Sequence, residues 1–562
     1  MKLRSQEWFE GGEYYNFARR AWLRSEGFNR DVFDGKPVIG ICNSWSELNN
    51  CNVHLRQVAE AVKRGVWASG GFPLEFPTIS LGEMFMRPTT MMFRNLMAMD
   101  VEESIRANPI DGVVLLCGCD KTTPAQLMGA LSADIPAIVV TGGPMLSGQW
   151  RDRKLGAGTD GRKLFDLFRT GQLSEEEWQE AEGCIARSAG HCTVMGTAST
   201  MTSLAEAMGM TLPGCAAIPA PDSRRLAIAE SSGRRIVGMV AEDLRPSRII
   251  TRQALENAVT AQMALGGSTN AVIHLIAIAG RGGIPLSLDD FDRVSRRTPY
   301  LVNVKPSGEM LMEDFFAAGG VPAMMRELLP LLNRDALTVT GATIAQNVAD
   351  AKCYEASVIR TLGDPLHAEG GTAILYGNLA PDGAVIKQTA ASPELLQHTG
   401  RAVVFENHDE MRARINSEDL PVDERSVLVM KCSGPKGAPG FPEWGQIPMP
   451  PKLLKRGIQD VVRVSDARMS GTSFGTVVLH VAPESAIGGP LAIVRDGDEI
   501  ALDTRARRID VKLDAAEIER RLEAFRPPKP HYERGYGKLF LDHVEQANLG
   551  CDFDFLRQKS GE

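Results

Sequence analysis

The 562-residue chain carries ten cysteines but no CxxC pair. Zinc ribbons and ferredoxin-type clusters draw their ligands from closely spaced pairs, so both are excluded. Ten cysteines in a chain of this length are also too few for a disulfide framework. Positive charge is not in excess: 62 Lys and Arg stand against 70 Asp and Glu, a formal net charge of -8. With no long basic run either, a nucleic-acid surface is excluded. Long apolar runs are missing as well, since "AVIHLIAIAG" has about half the ~20 residues of a membrane helix. The opening "MKLRSQEWFEGGEYYN" places acidic and aromatic residues where a signal peptide needs an apolar stretch. These absences predict a soluble cytoplasmic protein that engages neither nucleic acid nor membrane.

What is present is a globular composition, 43% hydrophobic and 23% charged, in a chain long enough for two or more domains. Up to about residue 365, short apolar runs ("KPVIGICNS", "GVVLLCGC", "IPAIVVTGG") alternate with helical spacing ("NVHLRQVAEAVKRGVWASG", "STMTSLAEAMGM"). That alternation predicts an α/β domain with a largely parallel sheet over 1–365. Over 366–530 the texture changes to short β-type runs between Gly/Pro turns, including "TAILY", "SVLVMK", "GTVVLHV" and "LAIVRDGDEIAL". These predict a mainly β second domain, a barrel or a sandwich. After "RPPKP", residues 531–562 form a tail with Tyr532, Tyr536, Phe540, Phe553 and Phe555, too apolar to hang free.

One stretch concentrates chemistry. In "DGVVLLCGCDKTTPAQLMGAL" a buried strand emerges into Cys119, Asp120 and Lys121 ahead of a helical segment. A tight turn with a capping Asp and a solvated Lys would read this way. A metal-binding edge would too: a thiolate suits iron and a carboxylate suits Mg²⁺. Lys121, buried beside a cation, would give up its proton and could take up carbon dioxide as a carbamate, an oxygen ligand. "GGSTNAV" (Gly266 to Val272) lacks the spacing of either phosphate-binding loop, and reads as a turn with Ser268 or Asn270 capping a buried helix.

"CDKTTPAQLMG" (Cys119 to Gly129) resembles the first signature of the dihydroxy-acid and phosphogluconate dehydratase family, and "VSDARMSGTSFG" (Val464 to Gly475) resembles the second, with Ser465 where Thr is frequent. "LGGSTNAVIHLIAIA" and "GPKGAPGFPEWG" are similar to two further family segments, so the resemblance spans essentially the whole chain. It implies a [2Fe–2S] cluster held by Cys51, Cys119 and Cys192, with one iron left open as a Lewis acid. It also implies a Mg²⁺ site of Glu83, Asp120, Lys121 as the carbamate, and Glu443. Read alone, Glu83 and Glu443 are ordinary surface carboxylates and Ser470 a turn serine. In the family, the serine matching Ser470 is the base that removes the C2 proton, once a cation lowers its pKa, and Gly471 would allow the turn that aims it. The other cysteines, Cys42, Cys117, Cys184, Cys215, Cys353, Cys432 and Cys551, read as core residues, and His191 and His480 as satisfied histidines.

The implied reaction is loss of water from a 2,3-dihydroxy carboxylic acid to give a 2-keto-3-deoxy acid. "SAGHCTVMGTASTMTSLAEAMGM" resembles the sugar-acid branch, which acts on aldonates such as arabinonate, xylonate and galactonate, better than the branched-chain branch with its Gly-Gly-Met-Tyr-Thr-Ala-Asn-type run. The alternatives are a 2,3-dihydroxyisovalerate dehydratase and, from another class, a non-catalytic iron–sulfur redox protein, which would call for a fourth close cysteine. The family and the aromatic tail point to a homodimer or homotetramer.

Overall fold

The computed structural model describes residues 2–558; Met1 and the last four residues of the tail lie outside the described residues. Four apolar runs form a parallel sheet: β1 (Val38–Asn43), β2 (Phe72–Pro77), β3 (Gly112–Cys117) and β4 (Ala137–Thr141), in the order β2-β1-β3-β4. Every residue of β1, β3 and β4 is buried, as expected for strands covered on both faces. The order reverses between β1 and β3, so the loops leaving those two strands part company and open a crevice at their carboxyl ends. The helices Thr122–Ala133, Thr197–Ala207, Arg252–Leu265 and Asn270–Arg281 are buried almost all round.

A small hairpin, β5 (Gly148–Trp150) and β6 (Arg153–Leu155), precedes the second unit. Eight strands, β7 (Ala373–Gly377), β8 (Ala380–Ile386), β9 (Gln397–Phe405), β10 (Val427–Met430), β11 (Val462–Ser465), β12 (Val477–Ala482), β13 (Glu499–Asp503) and β14 (Arg508–Val511), close into a barrel in the order β10-β11-β12-β8-β7-β14-β13-β9. Of the barrel and the sandwich, the structure is thus the barrel. Its interior holds Ala373, Leu375, Ala384 and Ile386, while the alternate residues Ile374 and Val385 face the α/β core, the period of two expected of strands. "LAIVRDGDEIAL" is only half a strand, because Pro490–Ile493 forms a 3₁₀ turn with its proline in the first turn. The run β9, β10, β11, β12 is parallel, so the exits of these four strands lie at one end of the barrel.

The tail folds back on its own chain. Phe540, Val544 and Phe553 pack with Met91, Met92 and Ile273. The buried Arg94 guanidinium donates to the carbonyls of Gly550 and Cys551 at 2.9 and 2.8 Å, and Arg281 is paired with Asp552 at 2.6 Å.

Lys387, just beyond β8, is 1% exposed and its Nζ has no hydrogen-bond partner among the described residues. Burial pushes its pKa down from 10.5 to about 7. A folded-state value below the unfolded one means that stability is full above the unfolded pKa and falls as pH drops towards 7. Lys387→Met is therefore expected to raise Tm at pH 6 by about 2–4 °C for each kcal/mol recovered, with the gain shrinking towards pH 10. Thermal denaturation of both proteins across that range checks it, and a gain independent of pH would contradict it.

Candidate active site

The loops that leave β1 and β3 meet at the crevice. Cys51 lies in the loop after β1, and Cys119, Asp120 and Lys121 follow β3 directly. The two loops touch closely: a Cβ on Gly118 would lie 2.8 Å from Asn52 Oδ1 and 3.0 Å from the Cys51 carbonyl, so no larger residue fits between the neighbouring cysteines. The third cysteine arrives beside the end of β4, where the His191 amide donates to the Gly143 carbonyl at 3.0 Å and Met145 N to the His191 carbonyl at 2.8 Å. Gly190 N in turn donates to Asn50 O at 3.1 Å, which joins the loops of Cys51 and Cys192.

The three thiols interact. The hydrogen bond to Cys119, followed by burial and the charges of Cys119 and Cys192, pushes the Cys51 thiol well above its ordinary range. Burial, with Asp120 and Cys119 nearby, pushes Cys192 up to about 12. Cys42 and Cys117 are fully buried in the core, as expected. Cys353 is not a core residue: it is exposed, with its Sγ 3.6 Å from the Ile359 carbonyl. Cys184 and Cys432 are also partly exposed.

Next to the thiols stands a buried charge cluster. Lys121 Nζ, with a side chain 0% exposed, is 3.1 Å from Glu83 Oε2, 3.5 Å from Asp120 Oδ2 and 3.7 Å from Glu443 Oε1. Glu83 and Glu443, 17% and 14% exposed, are therefore not the surface carboxylates that their local sequence suggests. Burial disfavours the charged amine, but the three carboxylates outweigh burial and hold Lys121 above its ordinary pKa. Burial raises the pKa of Glu83 to about 7 and that of Asp120 in the same direction. Glu443 is also buried, yet Lys121, Arg468 and Arg162 bring it below the ordinary value.

Each carboxylate has its own support. Thr90 Oγ1 donates to Glu83, the Ala198 amide to Asp120 Oδ1 at 3.1 Å, and Arg468 Nη1 and Asn270 Nδ2 to Glu443 Oε1 at 2.9 and 2.8 Å. Asn270 also donates to Thr197 Oγ1 and to the Met469 carbonyl, so it ties Glu443 to the segment that carries Ser470. Neither Ser268 nor Asn270 is the cap expected in this loop: the N-cap position is Thr269, whose side chain makes no cap hydrogen bond, although Ser268 Oγ accepts from Asn270 N at 3.2 Å. Ser470 Oγ lies 3.0 Å from Thr472 Oγ1. Gly471 serves close approach rather than a turn, because a Cβ there would lie 2.5 Å from Thr197 N. Arg468 and Thr197 escape the sequence reading, which takes Asn270 only as a candidate helix cap: one Asn in a Gly-Ser-Thr turn and one Arg in "DARMSG" carry no local signal of this role until the fold joins them to Glu443.

His191 and His480 are buried, and burial lowers both to about 3, so they are neutral at physiological pH. His191 Nδ1 meets the Cys192 carbonyl and Ser199 Oγ, but among the described residues its Nε2 has no partner and His480 has none at either nitrogen, so neither is the satisfied histidine expected.

Among the described residues, no group of three or more His, Cys, Asp and Glu side chains is placed so as to hold a metal ion. The chemistry of the donors nonetheless fits two different metals. Three carboxylates converge on one positive charge, and hard oxygens of that kind suit Mg²⁺. Three thiols converge beside them, those of Cys51 and Cys192 raised in pKa, and soft sulfur suits iron.

Removing the ammonium from this cluster leaves three facing carboxylates. Glu83 already has its pKa raised above 4.5, so the stability it permits is present at low pH and is lost as pH rises through about 7. Chelator-treated Lys121→Met is expected to lose about 3–5 kcal/mol above pH 7 and much less below pH 5. Denaturant titration at the two pH values checks this, and an equal loss at both would contradict the assignment of Lys121 as the compensating charge.

Family models match most of the chain: the dihydroxy-acid/6-phosphogluconate dehydratase N-terminal domain over residues 36–347 and the corresponding C-terminal domain over residues 357–551. An L-arabinonate dehydratase of Rhizobium leguminosarum bv. trifolii is 54% identical over 558 residues, covering 99% of this chain and 96% of that protein. A 6-deoxy-6-sulfo-D-gluconate dehydratase of Pseudomonas putida is 50% identical over 559 residues, with the same coverage. A dihydroxy-acid dehydratase of Syntrophobacter fumaroxidans is 40% identical over 543 residues, 95% of this chain and 96% of that protein. With both halves matched and the crevice built from the signature segments, the chain belongs to the dihydroxy-acid/6-phosphogluconate dehydratase family.

Proposed function

We propose that this protein is a hydro-lyase that removes water from sugar acids, 2,3-dihydroxy carboxylic acids of the aldonate type, to give 2-keto-3-deoxy acids. The observation that carries the reading is the meeting of Cys119, Asp120 and Lys121 at one strand exit, with Cys51 and Cys192 on one side and Glu83, Glu443 and the Ser470 segment on the other. The greater identity to the arabinonate and sulfogluconate enzymes than to the dihydroxy-acid dehydratase supports an aldonate.

In this reading Cys51, Cys119 and Cys192 hold a [2Fe–2S] cluster, and Glu83, Asp120, Glu443 and Lys121 as a carbamate hold Mg²⁺; when bound, these groups supply Lewis acidity at the C3 hydroxyl and at the carboxylate and C2 hydroxyl. Ser470 Oγ receives the proton from C2. The C2–C3 double bond forms as the C3–O bond breaks, and the leaving hydroxide takes up the proton that Ser470 Oγ received and departs as water. The enol takes a proton at C3 and becomes the keto acid. No carboxylate, lysine or histidine hydrogen-bonds to Ser470 Oγ among the described residues, only Thr472, so its basicity depends on positive charge in the crevice. Arg468 and Asn270 orient Glu443.

A second reading, dehydration of 2,3-dihydroxyisovalerate, is favoured by the 40% identity to a dihydroxy-acid dehydratase over nearly the whole chain. The described residues contain no helix long and apolar enough to cross a membrane. The proposed setting is the cytoplasm, in a homodimer or homotetramer. The exposed Tyr14, Tyr15, Phe17 and Trp22 on the helix Tyr14–Ser25 supply apolar surface for such contacts.

Anaerobic turnover of arabinonate, xylonate, galactonate, gluconate, fuconate, 6-deoxy-6-sulfogluconate, glycerate and 2,3-dihydroxyisovalerate, with iron content measured on the same sample, tests the proposal. Turnover of aldonates with about two irons per chain is the expected result. Turnover of dihydroxyisovalerate alone selects the second reading, and a metal-loaded protein that turns over nothing ends both in favour of a redox role. In the active protein, Ser470→Ala is expected to lower kcat by about 10²–10⁴-fold with iron content unchanged.

A further inference from the structure

Glu443 sits on a long irregular segment between β10 and β11, and irregular chain holds a ligand in place only if something pins its backbone. Two buried carboxylates that the proposed reaction does not use do this. Asp466, just past β11, accepts from Ser433 N at 3.0 Å and from Ser485 N and Oγ at 2.8 and 2.5 Å. Glu484, just past β12 and 1% exposed, accepts from Lys436 N at 2.9 Å and Gly437 N at 2.7 Å. The remaining donor to Glu484 comes from the far end of the chain. Gln546 Nε2 donates to Glu484 Oε1 at 2.7 Å, while Gln546 Oε1 accepts from the Glu484 amide at 2.9 Å.

The partners of this buried carboxylate are three N–H groups, none on a charged side chain. A carboxylate so held is a poor source of stability but a strict geometric constraint, because each donor has only one place to point. The tail that presents Gln546 is itself anchored: Arg94 grips the Gly550 and Cys551 carbonyls, and Arg281 grips Asp552. Arg281 ends the same helix whose first residue, Asn270, donates to Glu443. His531, also in the tail, meets the Gly437 carbonyl at 3.0 Å. From Gly437 the segment reaches Glu443 through Phe441, whose carbonyl accepts from Arg468 Nε at 2.8 Å.

We propose that Glu484 and Gln546 are positioning residues that hold the Glu443 segment in register with Glu83, Asp120 and Lys121, making the C-terminal tail a working part of the active site. The inference deepens the proposed function, and so far as it concerns the divalent cation it rests on that reading. Glu484→Gln sets two amide donors against each other, and Gln546→Glu sets two carboxylates against each other. The double variant Glu484→Gln/Gln546→Glu restores the hydrogen bond between the two side chains with the roles exchanged, losing only the second, 3.0 Å branch from Lys436 N to Oε1. The amide oxygen then at position 484 can accept from Lys436 and Gly437, while the amide nitrogen beside it donates to the carboxylate then at position 546.

Three readouts apply to the full-length, cluster-containing protein: Mn²⁺ binding by electron paramagnetic resonance as a probe of the cation site, backbone amide exchange over residues 432–445, and kcat and KM separately. Each single variant is expected to weaken Mn²⁺ binding at least tenfold and to speed exchange at Lys436 and Gly437, with iron content unchanged because the cysteines lie on other loops. The double variant is expected to return to within about threefold of the parent. Parent-like exchange and Mn²⁺ binding in both single variants would overturn the proposal, as would a double variant no better than the singles. A parent protein that binds no Mn²⁺ and dehydrates no aldonate would instead defeat the proposed function, and amide exchange would still decide whether the pair positions the segment.

Discussion

The site depends on one electrostatic constraint, the burial of three carboxylates around a single lysine. Lys121 and Arg468 bring two positive charges to Glu83, Asp120 and Glu443, which bring three negative ones. At 3.1–3.7 Å each Lys121 contact is worth about 5 kcal/mol of gross attraction at an effective dielectric of 20, most of it offset by desolvation. Such a cluster is a poor device for stability. Its surplus of negative charge and its hard oxygens suit a divalent cation by their chemistry, and the neighbouring thiols suit a softer metal.

The two sheets meet this constraint by the same device, parallel strands whose exits lie side by side. In the α/β unit the exits of β1 and β3 flank the point where strand order reverses, and they carry Cys51 and the Cys119–Lys121 run. In the barrel, parallel β10, β11 and β12 release the Glu443 segment, the Arg468–Ser470 segment and Glu484 at one end. The Ser470 segment then reaches the α/β unit by backbone contact, with Gly471 against the start of the helix Thr197–Ala207. The groups assigned to the proposed reaction are thus drawn from two units, and the contacts that join them at the site are polar and buried, so hydrogen-bond geometry fixes their relative placement.

Much of this architecture is legible in the sequence. The alternation of apolar runs and helical spacing marks the parallel sheet, and the recurrent short runs after residue 365 mark the β unit. The misreadings have local causes. Leu491 to Val494 is apolar enough for a strand, but Pro490 starts a 3₁₀ turn there. Cys353 is a free cysteine like the others and gives no sign that its loop is exposed.

Within the site, the sequence by itself determined the inventory: which thiols, carboxylates and hydroxyls are available, and that Cys119, Asp120 and Lys121 must share one strand exit because they are neighbours in the chain. It also carried, through the length of its signature segments, the resemblance that singles out Glu83, Glu443 and Ser470. Tertiary structure alone decided that Glu83 and Glu443 are buried against Lys121, that Asn270 and Arg468 orient Glu443, and that Gln546 closes the ring from the far end of the chain. The reason is physical. Propensity and periodicity act over a few residues, whereas the charge state and partner of a buried polar group are set by what the fold brings within about 3 Å, here from positions up to hundreds of residues away.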